Sequence, residues 1–245
     1  MTYKRNFLKK VVLGIDFDKV ELGKLKAFHT KYEKEFPIIE EVSGAEGLIN
    51  FNFKTKEVKQ VAHAISAWNI YDKSRRTKIN FSPVSLTIEY SEYVGFKQVI
   101  ESIPIVEDFV KKFKINTVTK LRLRFINEIK IEEEDPLNWN KYINEKMLGP
   151  ISFAIENSKS LARLMGLIVI KDEVGDIRLN YGLWNPKFPS EIVDKFFILD
   201  YNVYSKFPLD VEGLYLNDVL ENYHSKILSL FELSIKDGLR SLMNK

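Results

Sequence analysis

Segments typical of strands and segments typical of helices follow one another in this sequence in an order that occurs twice. In the first half, a short apolar strand at 11–17 precedes a helical pattern at 18–36, and a second helical pattern closes the half at 95–113. Between these helices the periodicity predicts four strands, at 38–42, 47–53, 58–69 and 78–90. Helices packed against an antiparallel sheet, the α+β class, are the fold that this order favours.

The second half repeats the order from residue 118 onwards. A long strand at 118–131 precedes a helix expected from 135 to about 148, then strands at 161–171, 176–184 and 195–204 and a helix from 218 to about 243. The repetition predicts a duplicated strand–helix–strands–helix unit, residues 1–115 and 116–245, in which long amphipathic helices pack on curved antiparallel sheets. Because no linker rich in Gly, Pro or Ser separates the halves, we expect one rigid body. The alternative is a single sheet whose element order repeats by chance.

Several local signals predict where the helices begin and break. Asp18 with Glu21, and Asp218 with Glu221, have the spacing of a capping box. Pro104 lies inside the last helical pattern of the first half. Since proline removes a backbone donor and clashes with the preceding turn, we expect a kink or two abutting helices there.

Composition excludes several classes of protein and of site. The chain has no cysteine, so disulfide bonds, thiolate zinc sites and a cysteine nucleophile are excluded, which suits a reducing compartment. The 37 Lys and Arg against 34 Asp and Glu give a net charge of +3, too small to require a polyanionic partner. No apolar stretch approaches the ~20 residues that span a bilayer, and the polar start of the sequence does not resemble a signal peptide. We therefore expect a cytoplasmic protein without a membrane partner.

One predicted strand carries a polar residue on its apolar face. In the run KLRLRFINEIK at 120–130, Asn127 lies on the face that otherwise carries leucine, phenylalanine and isoleucine, whereas Arg122 and Arg124 lie on the opposite face. Burying an amide without partners costs about 1–3 kcal/mol, so we expect the Asn127 side chain to be hydrogen-bonded. Two interpretations stay open: Asn127 ties down a bulge or a neighbouring loop, or it belongs to a binding pocket.

The run RLRFIN at 122–127 resembles a signature of an uncharacterised, sporadically distributed prokaryotic family of about this length. Members of that family open with a short apolar strand, like 11–17 here, and carry a tyrosine-bearing strand followed by a helix, like 86–113. An aspartate-bearing strand like FILDY at 197–201 and a final helix like 223–242 follow. The resemblance implies the fold and a distribution typical of mobile or defence-linked genes. It implies no activity and no catalytic residue.

A second polar residue interrupts an apolar strand near the C-terminus. Asp200 lies in the run FFILDYNVY, on the face that also carries Asn202, and it could form an ion pair with Arg122 or Arg124 if the strands are neighbours. We interpret Asp200 first as half of a structural salt bridge, with a ligand-binding carboxylate and a solvent-exposed residue as the alternatives. The candidate binding residues are therefore Arg122, Arg124, Asn127, Asp200 and Asn202.

The densest basic cluster, KSRRTK, is expected at a hairpin turn. Its cations Lys73, Arg75, Arg76 and Lys78 could contact nucleic-acid phosphates, although charged turns are usually only solvated. The longest acidic run lacks the spacing of a calcium loop, and the three histidines form no ligand motif. We therefore expect no metal site and no other cofactor.

Three functions are compatible with these residues. The first is a non-catalytic interaction protein, linked to mobile elements or phage defence, that recognises an unidentified protein partner through an exposed sheet edge or the groove between the halves. The second is an RNA-binding protein that uses the basic turn together with Arg122, Arg124, Arg163 and Arg178. The third is a small-molecule-binding protein or enzyme with a pocket under the C-terminal helix, anchored by Asn127, Asp200 and an arginine. The first is favoured, because no nucleotide-binding or nucleophile motif is present.

Overall fold

The computed structural model describes residues 3–52, 57–157, 160–211 and 215–245, without the side chains of 43–52, 57–66 and 157. The strands are β1 (Leu8–Phe17), β2 (Ile38–Asn52), β3 (Glu57–Tyr71), β4 (Thr77–Ser82), β5 (Ser85–Tyr90), β6 (Thr117–Lys130), β7 (Leu164–Lys171), β8 (Asp176–Leu183), β9 (Phe196–Tyr204) and β10 (Leu209–Asp210). The helices are α1 (Leu25–Tyr32), α2 (Lys97–Ile100), α3 (Ile103–Phe113), α4 (Glu145–Asn157), α5 (Leu216–Ser234) and α6 (Asp237–Met243). The protein is α+β, as predicted.

One antiparallel sheet contains all ten strands. Its order is β2-β3-β4-β5-β1-β6-β9-β8-β7, and β10 pairs with β6. The first strands of the two halves, β1 and β6, are neighbours in register, with Leu13 opposite Leu123. The antiparallel sheets expected for the two halves thus form one continuous sheet, because backbone hydrogen bonds between β1 and β6 join them.

One face of this sheet carries the apolar core. Alternate side chains of the central strands point to it, and a row across five strands is no more than 1% exposed: Ile88, Leu13, Leu123, Val203 and Ile177. Phe109 of α3 packs on Phe17 and Phe81 at ring distances of 5.5 and 5.2 Å, and Phe231 of α5 packs on Tyr201 at 6.5 Å. Full burial of a side chain of this size contributes roughly 1.5–3 kcal/mol, so this face accounts for most of the stabilisation.

The proline signal in the sequence was correct, but the two capping-box signals were not. α2 and α3 abut, and Pro104 occupies the first turn of α3, so the predicted break in this helical region is confirmed. The capping boxes at Asp18 and Asp218 are wrong: α1 follows a short 3-10 turn, α5 begins after Tyr215, and neither start has a side-chain cap. Both helices open on buried leucines, so tertiary packing outweighs the capping preference there.

The helix boundaries of the second half also differ from the prediction. The helix expected from Asp135 begins only at Glu145. Asp135 instead accepts hydrogen bonds from two backbone N–H groups that follow it, at 2.9 and 3.3 Å, and so caps a tight turn. The C-terminal helix is interrupted at Ile235, whose extended backbone pairs with Ile143. Backbone pairing with Ile143 therefore ends α5, although the apolar pattern of the sequence predicts that the helix continues.

Candidate functional site

The second face of the sheet is polar, and four of the five predicted binding residues lie on it. Arg122 and Arg124 belong to β6, and Asp200 and Asn202 belong to the adjacent β9. The register places Arg124 directly opposite Asn202. Because residues opposite each other in a sheet point to the same face, these four side chains form one polar surface.

Asp200 is the centre of this surface and is only 5% exposed. Nε and Nη2 of Arg124 donate to its two carboxylate oxygens at 2.7 and 2.8 Å, and Nδ2 of Asn180 donates to Oδ2 at 2.9 Å. Hydrogen bonding to Asp200 raises the pKa of the Arg124 guanidinium above its ordinary value. The structural salt bridge expected from the sequence is present, and three donors already occupy the carboxylate. Beside it, the buried Oδ1 of Asn202 has no hydrogen-bond partner among the described residues.

Arg122 reaches to the other neighbour of β6. Its Nη1 and Nη2 contact the two carboxylate oxygens of Asp16 in β1 at 3.0 and 2.9 Å. Gly14 lies opposite Arg122, and a Cβ at this glycine would be 2.5 Å from Nε of Arg122. Glycine at this position thus leaves the guanidinium room to cross β1. Both predicted arginines are held in ion pairs within the sheet.

Asn127 lies on the apolar face, away from the other four residues. It is 4% exposed, and its Nδ2 donates to the carbonyl oxygen of Leu199 at 3.2 Å. The register of β1 against β6 shifts between Leu8, opposite Asn127, and Lys10. This contact agrees with the interpretation that Asn127 ties down an irregular point in the sheet. The expected pocket anchored by both Asn127 and Asp200 is wrong, because the sheet itself separates the two side chains.

The basic cluster lies at the β3–β4 turn, as predicted. Of its four cations, three contact carboxylates, namely Glu40, Glu92 and Glu89, at 2.6, 2.5 and 3.1 Å from Arg75, Arg76 and Lys78 respectively. The Arg75 guanidinium also lies 4.7 Å from the ring centroid of Tyr71. Within the described ranges, only Lys73 of this group has no ion pair. The turn therefore presents little unpaired positive charge.

A cavity of about 620 Å³ opens between the two halves. Apolar side chains of α3, β1 and β6 line it, among them Val106, Ile15 and Val118, with the exposed Lys111 and Lys114 also contributing. None of the five predicted binding residues lines this cavity. The cavity is therefore separate from the polar face that carries four of these residues.

The sheet ends on one side at β7, and this strand was not singled out from the sequence. Four of its large apolar side chains are exposed, Met165, Leu167, Ile168 and Val169, to 39, 55, 38 and 51%. In the part of the chain that the structure describes, the backbone of β7 pairs with β8 alone. Soluble proteins usually protect such an edge with charges, proline or a bulge, whereas the only charge in β7 is Lys171 at its end. The uninterrupted apolar run LIVI was the available signal, but the same run also suits a buried central strand.

The described ranges contain neither a membrane-spanning helix nor a cluster of metal ligands. No helix there is both long enough and apolar enough to cross a bilayer, and no group of three or more acidic or histidine side chains could hold a metal ion. His29 contacts the carbonyl oxygen of Phe36, and His224 stacks on Phe96 at 4.0 Å between ring centroids. The side chain of His63 lies outside the described residues.

Comparison with known proteins adds no functional assignment. No known protein family matches the chain, and no curated protein does. Three features of the molecule remain as indications of function: the paired charges of the polar face, the cavity between the halves and the exposed edge at β7.

Proposed function

We propose that this chain is a non-catalytic protein-binding protein and that β7 is its docking strand. An extended segment of a partner would add to the outer edge of β7 as a further strand. Two observations together support this. Among the described residues, the outer backbone groups of β7 have no partner strand, and apolar side chains are exposed on both faces of that strand. Main-chain hydrogen bonds would supply affinity, and contacts to alternate side chains would supply specificity.

The strand order supports the same conclusion. Counted outward from the centre, the first half contributes β1, β5, β4 and β3, and the second half contributes β6, β9, β8 and β7. We propose that this mirrored order reflects the duplication expected from the sequence, with amphipathic helices covering both units. β7 then corresponds to β3, whose outer edge is covered by β2. The second half has no counterpart of β2 among the described residues, so a partner strand would occupy the matching position.

The ion pairs favour a protein partner over a nucleic acid. Arg122 and Arg124 contact Asp16 and Asp200, and three of the four cations at the basic turn contact glutamates. Each would have to leave a carboxylate before it could neutralise a phosphate, which is the interaction that dominates nucleic-acid affinity. The edge itself offers only Lys171 and no aromatic side chain for base stacking.

We also propose a cellular location and a biological context for this role. The absence of cysteine is compatible with the predicted cytoplasmic location. The resemblance of the RLRFIN strand to a sporadically distributed prokaryotic family supports a link to mobile elements or phage defence. The protein would then act through recognition of another chain.

Capture by β7 variants tests the docking role. The double variant Leu167→Lys/Val169→Lys places two charges on the edge, whereas Phe207→Lys changes an apolar residue that is 74% exposed elsewhere. We expect wild type and Phe207→Lys to retain the same stoichiometric partner in native extract. The double variant should retain roughly tenfold less, since a strand-addition contact does not tolerate buried unpaired charge. Equal retention by all three proteins, with matching circular dichroism spectra, would remove β7 as the docking strand.

A further inference from the structure

Building on the proposed docking role of β7, we infer that its occupant is a second copy of this chain. Two β7 strands would pair antiparallel about a two-fold axis and join two sheets into one. An isologous interface of this kind requires a surface that is complementary to itself. The exposed side chains of β7 meet that requirement in one register.

The faces of the sheet restrict which residues can oppose each other. Leu167 and Val169 lie opposite Asn180 and Arg178 of β8 and belong to the polar face, whereas Ile168 lies opposite Leu179 and belongs to the apolar face. A two-fold axis normal to the sheet keeps each face on its own side. Odd-numbered residues can therefore oppose only odd-numbered residues, and even-numbered residues only even-numbered ones.

The register centred on Ile168 matches apolar side chains best. Ile168 then opposes its own counterpart, and Leu167 opposes Val169 of the second copy. Ile168 is 38% exposed although it lies on the face that carries the core, so the helical layer covers this edge incompletely. Pairing would remove all three exposed side chains from water together, which is favourable in proportion to the apolar area buried. Lys171 would oppose Met165, and no like charges would face each other.

The two neighbouring registers are less favourable. Centring on Leu167 would place Lys171 opposite Arg163 of the second copy, and like charges directly opposed in a sheet are destabilising. Centring on Val169 would place the charged Lys171 opposite Leu167, so fewer apolar side chains would face each other. Charge and apolar pattern thus select one register.

The position of the added strand also agrees with the fold. β2 pairs antiparallel with β3 on the first-half side of the sheet, and β7 is the outermost strand on the other side. A second β7 would take the place that β2 takes beside β3. A pair of eight-residue strands is small beside the roughly 1,200–2,000 Å² of a standard interface, so we expect a dimer that dissociates on dilution.

A single introduced cysteine tests both the contact and its register, because the chain contains no cysteine of its own. In Ile168→Cys the two thiols would face each other across the axis, with Cα atoms about 4.5–5.5 Å apart, inside the range for a disulfide bond. Under mild oxidation we expect the linked dimer to form roughly tenfold faster or more than with the control Val94→Cys, because pairing raises the effective thiol concentration. Val94 is 87% exposed and lies in the other half of the chain.

The outcomes separate this inference from the proposed function. Cross-linking of Ile168→Cys no faster than Val94→Cys, together with a wild-type sedimentation coefficient that does not change with concentration, would overturn the second copy as occupant. Faster cross-linking of Leu167→Cys than of Ile168→Cys would overturn the register. If the wild type stays monomeric while Leu167→Lys/Val169→Lys loses a different captured partner, the docking role of β7 stands without self-association. If neither dimer nor captured partner depends on β7, both proposals fail.

Discussion

At the scale of single residues, the central feature is a nearly buried carboxylate in the middle of a strand. Asp200 is 5% exposed, yet Arg124 and Asn180 together donate three hydrogen bonds to it. Removing one partner of a buried ion pair costs more than removing both, because the remaining charge loses its compensation. A strand arrangement that separated Asp200 from Arg124 would therefore be strongly unfavourable.

A substitution at Arg124 tests this asymmetry. Arg124→Met leaves the Asp200 carboxylate with Asn180 as its remaining donor, and we expect the free energy of unfolding to fall by about 2–3 kcal/mol. The double variant Arg124→Met/Asp200→Leu should recover part of that loss. Urea unfolding followed by circular dichroism measures both effects. Lys97→Met breaks an ion pair whose side chains are 87 and 63% exposed, and it should change stability little. Equal losses for Arg124→Met and Lys97→Met would contradict the role assigned to the pair.

At the scale of elements, β7 depends on β8 for its place in the sheet. Gly182 of β8 has a φ of +140°, a conformation that favours glycine, and it lies opposite Met165 of β7. A Cβ at Gly182 would be 2.1 Å from the carbonyl oxygen of Leu164. The exposed edge can therefore exist in its observed register only if this position of β8 has no side chain.

Gly182→Ala tests that dependence. We expect a loss of about 2–4 kcal/mol in the free energy of unfolding, since the substitution adds both backbone strain and a clash with backbone. Amide exchange in β7 should accelerate more than exchange in the central strands. Gly23→Ala is the matched control, because nothing lies within 4 Å of a Cβ built there. Similar unfolding curves for the two variants would show that β7 does not need the glycine.

At the scale of the whole molecule, the two halves share their central strands. β1 and β6 pair from Val11 opposite Phe125 to Asp16 opposite Lys120, and the apolar row through Leu13 and Leu123 continues without interruption into both halves. Neither half can unfold without exposing the inner edge of the other. We therefore expect both halves to unfold cooperatively.

Hydrogen exchange measures that cooperativity directly. Amides of β1 and β6 should exchange with the same opening free energy, equal to the global value from urea unfolding, because they open only when the whole sheet does. Amides of β7 should exchange faster than those of β1 and β6, as expected for an edge strand, and dilution should accelerate them further because the proposed dimer dissociates. Opening free energies for β1 and β6 that differ by more than about 1 kcal/mol would indicate that the halves unfold separately.

The sequence by itself determined the features that depend on neighbours along the chain. Period-two alternation located most strands and assigned Asn127 and the two arginines to opposite faces of β6. It divided β2 into two strands and joined β4 and β5 into one, because turns and their absence were misread. The cost of burying polar groups predicted that Asn127 would be hydrogen-bonded and that Asp200 would pair with an arginine, and both contacts are present. Capping signals failed at α1 and α5, since buried leucines hold those helix starts without a side-chain cap.

Only the tertiary structure decided which strand lies beside which and in what register. Asn127 lies opposite Leu199, so its side chain and that of Asp200 point to opposite faces of the sheet. The alternation within a single strand cannot show which residue of the next strand lies opposite. The apolar run of β7 fits a central strand and an edge strand equally well, and its position at the edge follows from the order in which the other strands pair. Local periodicity depends on backbone geometry, whereas register and edge position depend on contacts between residues far apart in the chain.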